Sequence, residues 1–312
     1  MGCWAFVGGA LWGPQDEADS IATVQAALDA GVNLFDTAEG YGDGYSEEVL
    51  GRALEGYRHQ AVIATKVSQP SLSGDAVQEA CERSLQRLQT DYIDLYQIHW
   101  PSRTTPLAET MEALERLREQ GKVRAIGVCN FGVGDLSNLL AIGWAETDQL
   151  PYSLLWRAIE YQIRQKCLDE GIGILCYSPL IQGLLTGKFA SPDEVPAGRA
   201  RTRLFSTDRP LARHGEPGCE AEVFAALGTI RRISDAIGEP MAEVALAWLL
   251  HQPGVTSVLA GARYPDQIRQ TAQAADLKLA PEIINALTKA TDEVKRKMGR
   301  NPDPWQAKSR FR

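Results

Sequence analysis

The segment Val32–Tyr41, VNLFDTAEGY, is an apolar run that ends in the carboxylate of Asp36 and reaches a tyrosine five residues later. Two later apolar runs also carry an ionisable side chain near their ends, since VIATKV contains Lys66 and YIDLYQIHW contains His99. The intervals from Asp36 to Lys66 to His99 are 30 and 33 residues, and one strand–helix–strand unit takes about 30 residues. We therefore expect these side chains at the same end of successive strands, where α/β enzymes have their active sites.

Short β-rich segments alternate along the chain with amphipathic segments of helical length, and strict alternation predicts a parallel sheet. The predicted strands are Val32–Thr37, Ala61–Val67, Tyr92–Trp100, Val123–Cys129, Gln149–Leu155, Gly171–Ser178 and Val255–Leu259, and the N-terminal GCWAFV could form an eighth. The predicted helices are Ser20–Ala30, Glu47–Leu54 behind an N-cap at Ser46, Asp75–Leu88, Leu107–Gln120, Leu136–Ile142, Ile159–Asp169, Glu220–Ile237 and Met241–Leu250. No Gly-x-Gly-x-x-Gly turn follows an early strand, which disfavours an open doubly wound sheet. We expect a single (β/α)8 TIM barrel over residues 1–312.

Composition narrows the class of protein. The net charge of −8 over 312 residues argues against nonspecific binding to nucleic acid or anionic membranes, because such binding depends on an excess of Lys and Arg. The six cysteines form no C-x-x-C pair and have no zinc-like spacing, so we expect reduced thiols and no metal site. No apolar stretch is long enough to span a bilayer and no signal peptide is visible. These features predict a cytoplasmic protein with small-molecule partners.

One connection is unusually long, because about forty residues rich in Gly, Pro and Arg separate Ser178 from Glu220, after the seventh strand of the predicted barrel. Its basic residues are Lys188, Arg199, Arg201, Arg203, Arg209 and Arg213. Loops of this length in a compact domain are usually functional, and a basic loop on an acidic protein is suited to closing over phosphates. A solvated insertion with incidental charge is the alternative, which composition alone leaves open.

The three strand-end groups and Tyr41 together suggest proton chemistry. Asp36 would hold the ammonium of Lys66, and Lys66 would stabilise a Tyr41 phenolate by about 4 kcal/mol, or about three pKa units, at roughly 4 Å and an effective dielectric of about 20. We therefore expect the pKa of Tyr41 to move toward the physiological range, with His99 orienting a carbonyl oxygen or relaying the proton. Alone, each residue has a structural explanation, such as a turn cap for Asp36. The set indicates reduction of a carbonyl, which requires a hydride from nicotinamide.

These residues, in this order, resemble the aldo-keto reductase superfamily. FDTAEGYGDGYSEEVLGRAL looks like its Asp-Thr-Ala-x-x-Tyr-Gly segment, VIATKV like its lysine strand and YIDLYQIHWP like its histidine strand. The segments GKVRAIGVCNF, QLPYSLLWR, YSPLIQGLLTGK and LAGAR complete the series, so the resemblance covers nearly the whole chain. It implies a (β/α)8 barrel that binds NADPH across its C-terminal face without a Rossmann fold.

The resemblance also implies roles for individual residues. Tyr41 would be the general acid, Lys66 and Asp36 would tune it, and His99 would orient the substrate. Residues matching those that hold the nicotinamide are Asn130 and Gln149 at the carboxamide and Tyr177 against the ring. Residues matching the pyrophosphate segment are Ser178, Leu180, Gly183 and Lys188. Residues matching the site for the adenosine and its 2′-phosphate are Gly261, Arg263 and Gln267.

Arg263 precedes a helical pattern that begins at Pro265, so a guanidinium and free helix amides can face one phosphate, which favours NADPH over NADH. Two positions depart from the family pattern, with Cys129 where many relatives have Ser and Thr271 where many have Asn. The usual N-terminal hairpin is missing, because Gly2-Cys3-Trp4 corresponds to the end of the first strand, which looks truncated.

Trp4, Trp12 and Trp100 lie near the expected mouth and could wall an apolar pocket, although tryptophans also pack for stability alone. Such a wall would suit aryl and medium-chain aldehydes better than highly charged sugars. Two other functions stay open: an NADP(H)-binding regulatory subunit resembling the potassium-channel beta subunits, and a lyase or isomerase that uses Lys66 as a Schiff base. The second leaves Tyr41 and the cofactor segments unexplained.

Overall fold

A computed structural model describes all residues from Met1 to Arg312 and contains seven parallel strands, whose order in the sheet is their order in the chain. The strands are β1 Leu34–Asp36, β2 Val62–Val67, β3 Ile93–Ile98, β4 Val123–Cys129, β5 Thr147–Pro151, β6 Gly173–Tyr177 and β7 Val255–Val258. The helices are α1 Gly9–Trp12, α2 Glu17–Asp29, α3 Tyr45–Ala53, α4 Gly74–Leu88, α5 Leu107–Glu119, α6 Val133–Leu140, α7 Ile163–Glu170, α8 Glu220–Ile237, α9 Met241–Leu250, α10 Pro265–Ala272, α11 Pro281–Ala290 and α12 Asp292–Met298. The predicted alternation and parallel sheet are confirmed. No helix combines the length and the hydropathy needed to cross a lipid bilayer.

The predicted strand GCWAFV does not form, and this part of the prediction is wrong. Trp4–Val7 make a short 3₁₀ helix, and only Gly2 forms parallel bridges, to Asp36 on one side and to Gly261 on the other. The Cys3 N–H donates to the Asp36 carbonyl at 2.8 Å, after which the chain turns away from the sheet. These contacts join the two edges of the seven-stranded sheet, so the sheet closes into a barrel with Gly2 at the eighth position.

Alternation along the strands determines which side chains face the barrel axis. A small inner cluster contains Ala64 of β2 and Leu95 of β3, which are paired in register. The next positions on the same face are Lys66 and Gln97, also paired in register, with Asp36 at the end of β1 beside them. Apolar side chains therefore fill the lower layer, and polar ones form the layer at the C-terminal end. The main hydrophobic core lies outside the barrel, between the sheet and the helices.

Helix α3 is anchored differently from the prediction, which gave Ser46 as its N-cap. The helix begins at Tyr45 behind Gly44, whose φ of 96° is accessible to glycine at low cost. The Ser46 hydroxyl donates to the Cys3 carbonyl at 3.0 Å and accepts from the Thr37 hydroxyl at 2.9 Å. Ser46 therefore ties α3 to the segment that closes the barrel.

The segment between β6 and α8 contains two short 3₁₀ helices, Ile181–Thr186 and Pro192–Glu194, and otherwise turns and irregular backbone. Arg203 and Arg209 form ion pairs with Glu216 and Glu220 at 2.7 and 2.6 Å, which fold this segment onto itself and onto the start of α8. The other basic residues of this segment line a cavity at the C-terminal ends of the strands; they are Lys188, Arg199, Arg201 and Arg213.

Close packing inside the barrel predicts that Gly127 of β4 tolerates no side chain. A Cβ there would lie 2.7 Å from Thr147 Oγ1 and 2.9 Å from Gln97 Cγ. We expect Gly127→Ala to lower the free energy of unfolding by about 1–3 kcal/mol through overpacking, measured by urea denaturation. In the matched control Gly228→Ala, on α8, the nearest atom would be Arg232 Nη1 at 3.8 Å, so stability should rise by up to ~1 kcal/mol. Equal shifts in the two variants would contradict this packing.

Candidate active site

A cavity of about 1350 Å³ opens at the C-terminal ends of the strands. Every residue predicted for the site lines this cavity except Lys66, which lies beneath its floor and is fully buried. The floor is formed by strand ends, one wall by the segment after β6, and another by residues near the C-terminus of the chain. The sequence-predicted residues are therefore brought together in one place.

The Lys66–Asp36 pair forms the base of the site. Lys66 Nζ donates to Asp36 Oδ1 and to the Thr37 carbonyl, both at 2.7 Å. Burial alone would lower the pKa of Lys66, but the charge of Asp36, together with Tyr41, Cys129 and the hydrogen bond to Asp36, outweighs burial and raises the pKa above its ordinary value. Lys66 therefore carries its charge at all physiological pH values.

The second oxygen of Asp36 accepts from two glutamines. Gln149 Nε2 lies 2.6 Å from Asp36 Oδ2, and Gln97 Nε2 lies 3.4 Å from it. Gln149, predicted to hold a carboxamide, thus uses its amide nitrogen on Asp36 and keeps Oε1 free at the cavity. Gln97 is not among the residues predicted from the sequence, although its position two residues before His99 indicates the same inward face.

The Tyr41 ring stacks on the Trp4 ring, with 5.7 Å between the two centroids. It meets the His99 ring edge-on, also with 5.7 Å between centroids. Lys66 Nζ is 5.0 Å from the centre of the phenol ring. Burial raises the pKa of Tyr41 to about 12, and Lys66 opposes this shift while Asp36 adds to it. The expectation of a pKa near the physiological range is therefore wrong for this structure, because burial outweighs the attraction of a cation that Asp36 already neutralises.

His99 presents a neutral ring to the cavity. Burial, followed by the charges of Lys66 and Arg310, lowers its pKa to about 3. Its carbonyl oxygen accepts from Asn130 Nδ2 at 3.0 Å, and its ring edge lies against Tyr41. A protonated phenol and a neutral imidazole are thus neighbours on the cavity floor, where both can contact one oxygen atom of a ligand.

Asn130 connects this floor to Tyr177, since the Tyr177 hydroxyl donates to Asn130 Oδ1 at 3.0 Å. The Asn130 backbone has a φ of 63°, a conformation that asparagine tolerates better than most residues. The side-chain amide uses one N–H of Nδ2 on the His99 carbonyl and one lone pair of Oδ1 on the Tyr177 hydroxyl. The second N–H and the second lone pair stay free for a ligand. The contact fixes the Tyr177 ring at the cavity wall.

Three cations of the cavity lining form a group near Gly183, and none of them has a carboxylate partner. They are Lys188, Arg199 and Arg263. Burial, followed by the charges of Arg199 and Arg263, lowers the pKa of Lys188, and Arg263 likewise lowers the pKa of Arg199 after burial. Three mutually repelling charges in one acidic protein form a site suited to anions.

Strained backbone forms the turn that leads to this group. Ser178, Ile181 and Gln182 have φ values of 52°, 43° and 53°, and Gly183 follows at 99°. A Cβ on Gly183 would lie 3.0 Å from Lys188 Nζ, so glycine lets the ammonium approach the turn, and Leu180 lines the wall beside it. Non-glycine residues at positive φ cluster at functional sites. Gln182 Nε2 is buried without a partner.

Arg263 is held in place before α10. Its Nε donates to Gln15 Oε1 at 2.8 Å, and its backbone N–H donates to Gln267 Oε1 at 2.9 Å. Gln15 was missed, because nothing in the sequence indicates that the loop before α2 reaches Arg263. Gly261 lines the cavity beside this group and is bridged to Gly2.

Aromatic side chains surround the mouth. Trp4 packs edge-on against Trp12 at 5.4 Å, and Trp100 packs edge-on against Phe311 at 5.5 Å. The guanidinium of Arg310 covers the Trp100 ring at 3.5 Å. Residues near the C-terminus were missed as lining residues, because no periodic pattern indicates where an irregular tail lies.

Residues 1–292 match the Aldo/keto reductase family. The aldo-keto reductase YhdN of Bacillus subtilis is 37% identical over 279 residues, which are 86% of this chain and 82% of the relative. The NADH-specific methylglyoxal reductase of Escherichia coli is 34% identical, with 95% of each chain covered. The crystal structure of an aldo-keto reductase from Klebsiella pneumoniae in complex with NADPH superimposes with a TM-score of 0.74 at 30% identity, covering 93% of this chain and 89% of the other. The chain therefore belongs to the aldo/keto reductase family and is an NAD(P)H-dependent oxidoreductase.

Proposed function

We propose that this protein reduces aldehydes or ketones to alcohols, with NADPH as the hydride donor and Tyr41 as the general acid. The observation that carries the proposal is the pairing of a protonated phenol, Tyr41, with a neutral imidazole, His99, above the buried Lys66–Asp36 pair. A phenol and an N–H at one point bind a carbonyl oxygen, and both strengthen their bonds as negative charge develops on it.

The proton path uses this chain's own groups. Tyr41 gives its hydroxyl proton to the carbonyl oxygen, and the resulting phenolate lies beside the ammonium of Lys66, 5.0 Å from the ring centre. Lys66 therefore attracts the product of proton transfer much more than the neutral phenol, which is the differential stabilisation that catalysis requires. His99 orients the carbonyl from the other side. NADPH, when bound, supplies the hydride to the carbonyl carbon.

The cavity fits such a cofactor at its cationic end. Lys188, Arg199 and Arg263 lack carboxylate partners, and Gly183 leaves room for a close approach. These features supply donors for phosphate oxygens. Toward the floor, the nicotinamide would be held by Gln149 Oε1, by the free N–H and lone pair of the Asn130 amide, and by the ring of Tyr177. Arg263 beside α10 favours a 2′-phosphate, although one relative is named as NADH-specific.

The substrate in this proposal is a small carbonyl compound, as the name of the methylglyoxal reductase relative indicates for that protein. Trp4 and Trp100 would form the walls of its pocket. Oxidation of NADPH by a panel of aldehydes tests the proposal. NADPH binding without turnover would instead favour the regulatory subunit.

Replacing Tyr41 by Phe removes the proton donor. General acid catalysis contributes about 10²–10⁴-fold, so we expect Tyr41→Phe to lower kcat by that factor while the Kd for NADPH stays within about threefold. Steady-state kinetics and fluorescence titration measure the two quantities. Tyr45→Phe is the matched control, because the Tyr45 hydroxyl bonds to Glu17 outside the cavity. A Tyr41→Phe variant with more than a tenth of wild-type kcat would assign the acid to another residue.

Titration of the free protein tests the electrostatics of the floor. Since burial raises the pKa of Tyr41 to about 12, the folded protein binds this proton more tightly than the unfolded chain. The resulting stability is complete below the ordinary tyrosine pKa and is lost as pH rises toward 12. Tyr41 should therefore stay protonated above the ordinary tyrosine pKa of about 10. Below about pH 11, wild type and Tyr41→Phe should then gain the same phenolate absorbance. Extra phenolate in wild type near neutral pH would instead support the expectation that Lys66 moves the pKa of Tyr41 toward the physiological range.

Arg263→Ala tests the cofactor preference. Losing one charge-assisted contact should cost about 1.5–3 kcal/mol, so we expect NADPH affinity to fall about tenfold or more while NADH affinity changes little. The control is Arg269→Ala on the exposed face of α10, where Arg269 contacts only Asp266. Equal affinities for the two cofactors in wild type would rule out a 2′-phosphate site.

A further inference from the structure

A second group of cations lines the cavity apart from Lys188, Arg199 and Arg263. It consists of Arg201 and Arg213, which we call the mouth arginine pair. The only side-chain hydrogen bond of Arg201 goes from Nε to the Gly198 carbonyl at 3.0 Å, and neither arginine forms an ion pair. Arg203 and Arg209, in the same segment, both have glutamate partners. The mouth arginine pair is therefore left without a counter-ion inside the protein.

The position of Arg201 relates it to the proton donor. Its guanidinium lies 4.3 Å from the Trp305 ring centre and 5.6 Å from that of Trp4. Trp4 in turn stacks on Tyr41 at 5.7 Å. Arg201 is thus separated from the acid by a single indole ring. Cation–π contacts with two aromatic rings orient the guanidinium without using its N–H donors, so Arg201 keeps four N–H donors for a ligand.

His214 follows Arg213 directly and is held in place by the protein. It is only 5% exposed, and its Nδ1 accepts from the Glu216 N–H at 3.1 Å. Its Nε2 is buried away from solvent, so His214 supports the chain next to Arg213 and is not placed to donate to a ligand.

The two cation groups differ in their neighbours. Burial, and then the charge of Arg213, lowers the pKa of Arg201, whereas Arg263 acts on Lys188 and Arg199. One group is thus placed at α10 and the turn of Gly183, and the other at the tryptophans of the mouth. The cofactor phosphates account for the first group and leave the second unexplained.

We propose that Arg201 and Arg213 bind an anionic group on the carbonyl substrate, a carboxylate or a phosphate monoester. Planar guanidinium groups bind such oxyanions through two parallel hydrogen bonds. The enzyme would then prefer an acidic aldehyde over a neutral one of the same shape, with the aromatic wall holding the spacer between the two ends. This inference rests on the proposed carbonyl reduction. It adds an anion-binding end to the apolar pocket that the sequence predicts.

Matched aldehydes test the anion site. The kcat/KM values of 4-formylbenzoate and its methyl ester are compared at saturating NADPH in wild type, Arg201→Gln and Arg232→Gln, the last being an exposed surface control. We expect wild type to prefer the acid at least tenfold, Arg201→Gln to lose most of this preference, and Arg232→Gln to keep it. A third aldehyde, 4-formylphenyl phosphate, decides between the two anions, because the preferred group should lose more in Arg201→Gln.

Three results would overturn the inference. Wild type could show no preference for the acid, or the preference could survive in Arg201→Gln. Arg201→Gln could also weaken NADPH binding and lower turnover of both aldehydes equally, which would make Arg201 a cofactor ligand. If wild type reduced neither aldehyde, the proposed function would fail on its own. Calorimetric titration of 4-formylbenzoate into the NADP⁺ complexes of wild type and Arg201→Gln would then decide the anion site, equal affinities overturning it.

Discussion

The buried ion pair of Lys66 and Asp36 is the constraint on which the site depends. Removing one partner of such a pair typically costs about 3–5 kcal/mol, because the remaining charge cannot reach water. Here the carboxylate also accepts from Gln149 and Gln97, and the ammonium donates to the Thr37 carbonyl. One satisfied polar layer therefore joins β1, β2, β3 and β5 at the end of the barrel where ligands bind.

The same pair determines the acidity of Tyr41. A simple Coulomb argument with Lys66 alone predicts a low pKa, but Asp36 lies 2.7 Å from the ammonium and cancels much of its field at the phenol. Burial then dominates and keeps the proton on the oxygen. In the proposed reaction, Tyr41 must keep this proton until the carbonyl is reduced. Under that proposal the cation acts fully only when charge moves onto the phenol, so the site would be arranged for the transition state more than for the resting enzyme.

How much the sequence predicts depends on the kind of contact. Strand ends follow from alternation and spacing, so Asp36, Lys66 and His99 could be brought to one cavity in advance, and Gln97 could have been added by the same period. GCWAFV has a strand-like composition, yet only Gly2 pairs with both sheet edges before the chain turns into a 3₁₀ helix. Propensity cannot report such a tertiary constraint. Gln15 and Trp305 reach the cavity from irregular segments, whose paths no periodic pattern determines.

The charge of the cavity lining is opposite in sign to that of the whole chain. The chain has a net charge of −8, yet the cavity is lined by Lys188, Arg199, Arg201, Arg213 and Arg263, none of them paired with a carboxylate. Cations enclosed by low-dielectric walls within an acidic surface focus the field on the cavity. An anionic cofactor is attracted there and little elsewhere on the protein. Because salt screens exposed charges over about 10 Å at 0.1 M ionic strength, the attraction is felt mainly near the mouth. The acidic surface then limits nonspecific binding, and the unpaired cations of the cavity provide the selectivity for anions.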